Sequence, residues 1–261
     1  MKTRLKIGDI DTSSKEVKLL KETYGLNPDI QLLEAAIINA QGDQAQALEL
    51  YESIVKEHPN SAQGLLELGK LYFDNEEYSK ALVCCLKAAK LDSKNSTAFL
   101  YLGHYYKREK NFDKARKCYE KAYGMNPIDD EIACSLSDMY RLLGDHEANL
   151  ALLESVTDLA GRGSCGWAWL RLGLHYLDVK NYNDAVYTLQ CAAQINEDDA
   201  ITLECLGEAY LERGANTAAL KVFSKASEIS NDNCYPLCQT AMIKHVSHIF
   251  FQLHFFIFKK L

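Results

Sequence analysis

The stretch TAFLYLGHYYKREKNFDKARKCYEKAY (97–123) decides the fold, because its small and aromatic residues return at fixed intervals along the chain. The small residue Gly103 has counterparts at Ala35, Gly69, Ser137, Gly173, Gly207 and Ala241, spaced 34, 34, 34, 36, 34 and 34 residues apart. Three residues after the six positions up to Gly207 lie Ile38, Tyr72, Tyr106, Tyr140, Tyr176 and Tyr210. Twelve residues after the small position come Ala47, Ala81, Ala115, Asn149, Ala185 and Ala219, and four further on Tyr51, Cys85, Tyr119, Leu153, Leu189 and Phe223. An amphipathic bundle explains a period near 3.6 residues but not a return every 34.

These offsets are the signature of the tetratricopeptide repeat, and the resemblance implies an all-α solenoid, a right-handed superhelix of antiparallel helix pairs. Each unit supplies a helix A and a helix B. The small residues at the eighth and twentieth positions let the pair approach closely. Tyrosine at the eleventh and a large residue at the twenty-fourth fill the seam, and the phenol edge remains free to find a polar partner. One pair cannot bury its apolar face alone, so neighbours stack.

The spacing divides the chain into six units, 28–61, 62–95, 96–129, 130–165, 166–199 and 200–233. Residues 1–27 form a partial repeat or extension, with one helix over 12–26, and 234–244 begin a seventh unit. Polar punctuation at HPNS (58–61), DSKNS (92–96) and NPIDD (126–130) stops one helix and caps the next. That reading also accounts for Asn95-Ser96-Thr97, formally a glycosylation sequon. Two extra residues fall in Ala160-Gly161-Arg162-Gly163-Ser164, and Asn149 replaces the usual alanine, so unit 130–165 is expected to be the softest joint. The repeat pattern fails over 245–261, HVSHIFFQLHFFIFKKL, too short an apolar run to span a membrane. It reads as a non-native or alternatively spliced end of a truncated chain that exposes apolar surface, with a membrane-surface anchor as the other reading.

Net charge is −7, and basic runs such as Lys107-Arg108 with Lys110 are interleaved with acids, which argues against direct nucleic-acid binding. Nine cysteines without CxxC spacing or a nearby histidine set, and an amino end lacking an apolar core, point to free thiols in a reducing compartment and to no metal site. No phosphate loop and no nucleophile–base arrangement stands out, so no catalytic residue and no cofactor is expected. His104 and His175 read as surface or packed residues.

In the tetratricopeptide family the fifth position of helix A commonly faces the concave groove. Here it is occupied by Leu32, Leu66, Leu100, Cys134, Leu170 and Glu204. This set is the candidate partner-binding floor, with the interhelix core as the alternative for some of the leucines. Chaperone-binding members clamp a terminal carboxylate with lysine, asparagine and arginine at set positions. The ninth position here reads Ala36, Lys70, His104, Asp138, Leu174 and Glu208, which does not supply that clamp.

Three stretches exceed the generic pattern: 97–123, GWAWLRLGLHYL (166–177) and LGEAYLERGANTAALKVFSKASEI (206–229). With the insertion before Trp167 and Trp169, they resemble the tetratricopeptide scaffold of the superkiller (Ski) complex over about residues 28–243. The resemblance implies a non-enzymatic cytoplasmic scaffold, with the nucleus as a second compartment. It implies a DExH-type RNA helicase and WD-repeat propeller subunits as partners, feeding RNA indirectly to the exosome for 3′-to-5′ decay. Family members are far longer arrays, and the carboxy-terminal units that grip helicase and propellers have no counterpart here. The alternative is a tetratricopeptide adaptor for an unrelated protein or a chaperone.

Overall fold

The computed structural model describes residues 10–25, 27–230 and 233–245, and every regular element among them is helical. A first compact unit, ending at Pro127, holds α1 (Ile10–Tyr24), α2 (Pro28–Ala40), α3 (Gln44–Glu57), α4 (Ala62–Asp74), α5 (Tyr78–Leu91), α6 (Ser96–Arg108) and α7 (Phe112–Met125). The second, from Ile128, holds α8 (Asp130–Leu143), α9 (His146–Ala160), α10 (Gly166–Asp178), α11 (Tyr182–Ile195), α12 (Ala200–Glu212), α13 (Asn216–Ile229) and α14 (234–245). The aromatic run of 246–261 lies outside the described residues.

Polar punctuation sets the helix starts. The Ser61 hydroxyl accepts from the Gly64 amide at 3.1 Å, and the Asn95 side chain accepts from Ala98 at 3.2 Å. Asp129 accepts from Glu131 at 3.1 Å, and Asp199 from Ile201 at 3.2 Å. The second helices are capped in the same way by Asp43, Asn111 and Asp145. Each cap satisfies an amide that the first turn leaves without an intrahelical acceptor, a contribution of roughly 1 kcal/mol per helix.

The helices of a pair then meet through the small residue. A Cβ built on Gly173 would lie 2.5 Å from Leu189, and one on Gly207 would lie 2.6 Å from the Phe223 ring. Gly69 abuts Cys85 and Cys84, while three residues on, the Tyr72 ring sits beneath Lys80. The order of these contacts makes the pair antiparallel. Tyr119 and Phe223, fully buried, fill the space that glycine leaves.

At two junctions, consecutive pairs are joined by the tyrosine of the eleventh position. Tyr72 donates to Glu52 on the preceding α3, and Gln190 on α11 donates to the Tyr210 hydroxyl at 2.6 Å. For Tyr72 and Tyr210 the phenol edge therefore finds its partner at the twenty-fifth position of the unit before. At the amino end, Val17 of α1 packs on Ile30 and Ile37 of α2.

The α8–α9 pair departs from this scheme, and its departures compensate one another. Ser137 stands where four other units have glycine, is 0% exposed, and donates to Asn149 Oδ1 at 2.8 Å. Arg171 of α10 donates to the Ser137 hydroxyl at 2.9 Å, to Asp138 at 2.7 Å and to the Cys134 carbonyl at 3.5 Å. A polar latch thus takes the place of the small-residue seam, while the two helices lie less closely apposed than their neighbours. The connection that follows is folded: Gly161–Gly163 make one 3-10 turn, and the Trp169 indole donates to the Gly161 carbonyl at 3.2 Å. The insertion and the tryptophan belong together, because a buried indole N–H requires an acceptor.

Ser137→Ala and Asn149→Ala are each expected to cost about 1–2 kcal/mol, since each strands a partner in a largely buried network. Together they restore two small apolar residues, so the double variant is expected to cost less than the sum by about 1 kcal/mol. A double-mutant cycle in urea or heat measures the difference.

Candidate partner-binding surface

The fifth-position set divides. Leu32 and Leu66 lie in one buried interhelix cluster, and Leu66 and Leu100 are each only 2% exposed. These three leucines are buried, as in the interhelix-core alternative that the repeat register left open. The reason lies in helix geometry: the fifth and eighth positions share one face, so drawing helix B onto the glycine also covers the residue one turn before it. In the second unit, Cys134, Leu170 and Glu204 are half-buried. Leu170 packs on both Trp169 and Leu189 clusters, and the Glu204 carboxylate accepts from Asn233 at 2.8 Å. Burial holds Glu204 above its ordinary carboxylate value, and the nearby Glu208 and Asp199 add to that against the Asn233 bond.

The side chains that helix A leaves accessible come from the sixth, ninth and later positions. On the first unit, the Lys70 ammonium contacts Glu67 at 3.2 Å and lies 5.8 Å from the Tyr101 ring centre. Phe73 meets the rings of Tyr78 and Tyr101 edge-on at 5.2 and 5.7 Å. The Arg108 guanidinium sits 3.3 Å above the Tyr78 ring, and His104 is held to the Tyr119 hydroxyl at 2.9 Å. This face is aromatic and cationic. On the second unit, Arg171 lies 5.1 Å from the Trp167 ring centre while bound to Asp138, and Glu204 and Glu208 follow on α12. The cue was in the ninth-position residues, whose charge changes from Lys70 to Asp138 and Glu208.

His104 and His175 are engaged with neighbouring tyrosines, as packed residues are. Among the described residues no group of three or more His, Cys, Asp or Glu side chains converges to hold a metal. The resolved thiol shifts all run upward: burial pushes Cys85 up to about 12, with Cys84 adding to it, and burial raises Cys118. Burial, then a hydrogen bond to Asp130, takes Cys165 to about 11. An activated nucleophile needs the opposite shift.

Sequence comparison agrees with this geometry. Tetratricopeptide-repeat family models match residues 39–102 and 96–129. The chain is a tetratricopeptide-repeat protein. This array is 36% identical to superkiller complex protein 3 of Homo sapiens over 247 residues, 92% of the chain. It is 37% identical to tetratricopeptide repeat protein 37 of Xenopus laevis over 93% of the chain. The chain spans 16% of the length of each of these relatives. Among solved structures, the array resembles PilF of Pseudomonas aeruginosa with a TM-score of 0.67 at 14% identity, covering 84% of this chain and 96% of that one. It also resembles the Cut9–Hcn1 hetero-tetramer of the APC/C with a TM-score of 0.63 at 14% identity, covering 92% of this chain and 47% of that one. These likenesses establish the fold. Among the described residues no helix is long and apolar enough to cross a membrane.

The thiols give a direct check. At pH 8 the native chain is expected to take up a maleimide at exposed Cys234 and Cys238, while buried Cys85 reacts only after unfolding. An unfolded thiol ionises near its ordinary 9.0 while folded Cys85 stays protonated to about 12, so stability is expected to fall as pH rises above 9.0. Mass-mapped labelling and melting curves from pH 7 to 10 measure both.

Proposed function

We propose that this chain is a protein-interaction scaffold of the superkiller type, supporting an RNA helicase and WD-repeat propeller subunits in cytoplasmic exosome-linked 3′-to-5′ mRNA decay. The observation that carries the reading is the similarity to human superkiller complex protein 3 along nearly the whole chain. The solved structures, at 14% identity, carry no such specificity. Physical chemistry supports a scaffold in the broader sense. Helix pairs that spend their apolar residues on one another leave polar and aromatic faces, which suit recognition of other proteins. A net charge of −7 disfavours a direct grip on phosphates, which leaves RNA to a partner. In this account the helicase hydrolyses ATP and the scaffold does not.

Affinity capture with the tagged chain from a cell lysate, read by mass spectrometry, tests the assignment. The expected result is co-recovery of the superkiller helicase and propeller subunits, with no ATP turnover above background by the purified chain. Recovery of chaperones without the helicase would point to an unrelated tetratricopeptide adaptor and overturn the superkiller reading.

A further inference from the structure

Along the chain, Lys114, Lys117 and Lys121 alternate with Asp113, Arg116 and Glu120, but α7 sorts them. At about 100° per residue the three lysines fall within an arc of about 60°, spaced i, i+3 and i+7, and both acids lie beyond its edge. All three are exposed, in a row about 10 Å long at the helical rise. Two are braced against rings of α6: the Lys121 ammonium lies 4.0 Å from the Phe99 ring centre, and that of Lys114 lies 5.4 Å from the Tyr106 ring centre. Glu120 is engaged by Arg116 at 3.8 Å, and among the described residues none of the three lysines is ion-paired.

The preceding repeat carries lysine at the same two register positions, the nineteenth and twenty-sixth, as Lys80 and Lys87. There too the first of them stands over the tyrosine of its own pair, with Lys80 5.1 Å from the Tyr72 ring centre. None of the other four repeats has lysine at both positions. The local charge agrees: residues 96–127 carry 7 Lys and Arg against 3 Asp and Glu, in a chain whose net charge is −7. A positive face is thus built into one helix pair of an acidic protein.

We propose that the lysine row of α7 docks an acidic helical segment of a protein partner, with carboxylates at i, i+3 or i+4, and i+7. Charge complementarity fixes the sign of the partner, and the row fixes the spacing at which its carboxylates meet the ammonium groups. The rings beneath Lys114 and Lys121 hold two of the cations in place, which lowers the ordering cost of docking. A nucleic acid fits less well. Its bases need open aromatic faces, and here the lysines themselves stand over Tyr106 and Phe99, while the net charge of −7 repels a long phosphate chain. The inference rests on the interaction-scaffold reading, although not on the identity of the superkiller partners.

Fluorescence anisotropy of a fluorescein-labelled peptide AEAQEAQAEAQEAQA, titrated with the purified chain at low salt, tests it. The expected result is saturable binding that weakens as salt rises and that Lys114→Gln, Lys117→Gln and Lys121→Gln together weaken about tenfold. Removing the same charge from exposed lysines elsewhere, with Lys56→Gln, Lys94→Gln and Lys225→Gln, is expected to change it less than about twofold. Lys117→Gln alone leaves both ring contacts intact and is expected to weaken binding about twofold to threefold, which serves if circular dichroism shows that the triple variant has lost helix. Equal weakening by the two triple variants, equal binding of AKAQKAQAKAQKAQA, tighter binding of a labelled oligouridine, or no binding by the wild-type chain would overturn the proposal. Each of these results leaves the lysate capture unaffected, so the two readings fail separately.

Discussion

The structure depends on how closely two helices can approach at the eighth position of each repeat. Where that position is glycine, the partner helix brings a cysteine, tyrosine, leucine or phenylalanine directly onto the backbone. Packing at this distance leaves no room for even a methyl group, and interiors of this density do not absorb extra volume without displacing neighbours. The rest follows from that approach: the fifth-position residue is covered, the tyrosine edge is pushed towards the preceding helix, and the polar faces turn outward.

The repeat period made the fold legible, because its required residues are tied to local sequence. Caps at Ser61, Asn95 and Asp129 were readable as punctuation, and the tyrosine edge had a stated need that Glu52 and Gln190 meet. Two things were not legible. Leu32, Leu66 and Leu100 carry a register position that describes direction along the helix, not depth, and depth depends on how tightly helix B closes. The latch was hidden for a different reason: Ser137, Asn149 and Arg171 look like separate departures until the fold brings them within hydrogen-bond distance.

That latch bears on function through the expectation of a soft joint. A small-residue seam is apolar and non-directional, whereas a hydrogen-bonded network fixes orientation and is costly to open halfway. The α8–α9 pair gives up closeness and gains directional contacts to α10. The 3-10 turn and the Trp169 indole bond tie the inserted residues to that same helix. What remains accessible on each unit is a set of charged and aromatic side chains on helix A, with opposite character on the two units. Surfaces of this kind discriminate among partners by charge and shape.

The close approach itself is tested by one substitution made at two sites. Gly103 faces the buried Tyr119 ring, with Cδ1 2.6 Å from the position a Cβ would take, whereas Gly124 on α7 has nothing within 4 Å. Thermal unfolding of the two alanine variants is the measurement. The account predicts that Gly103→Ala destabilises by about 1–3 kcal/mol through overpacking, although alanine is the better helix former. It predicts that Gly124→Ala stabilises by roughly 0.5–1 kcal/mol. Stabilisation by both substitutions would mean that the helices are not held as closely as described, and would contradict the account.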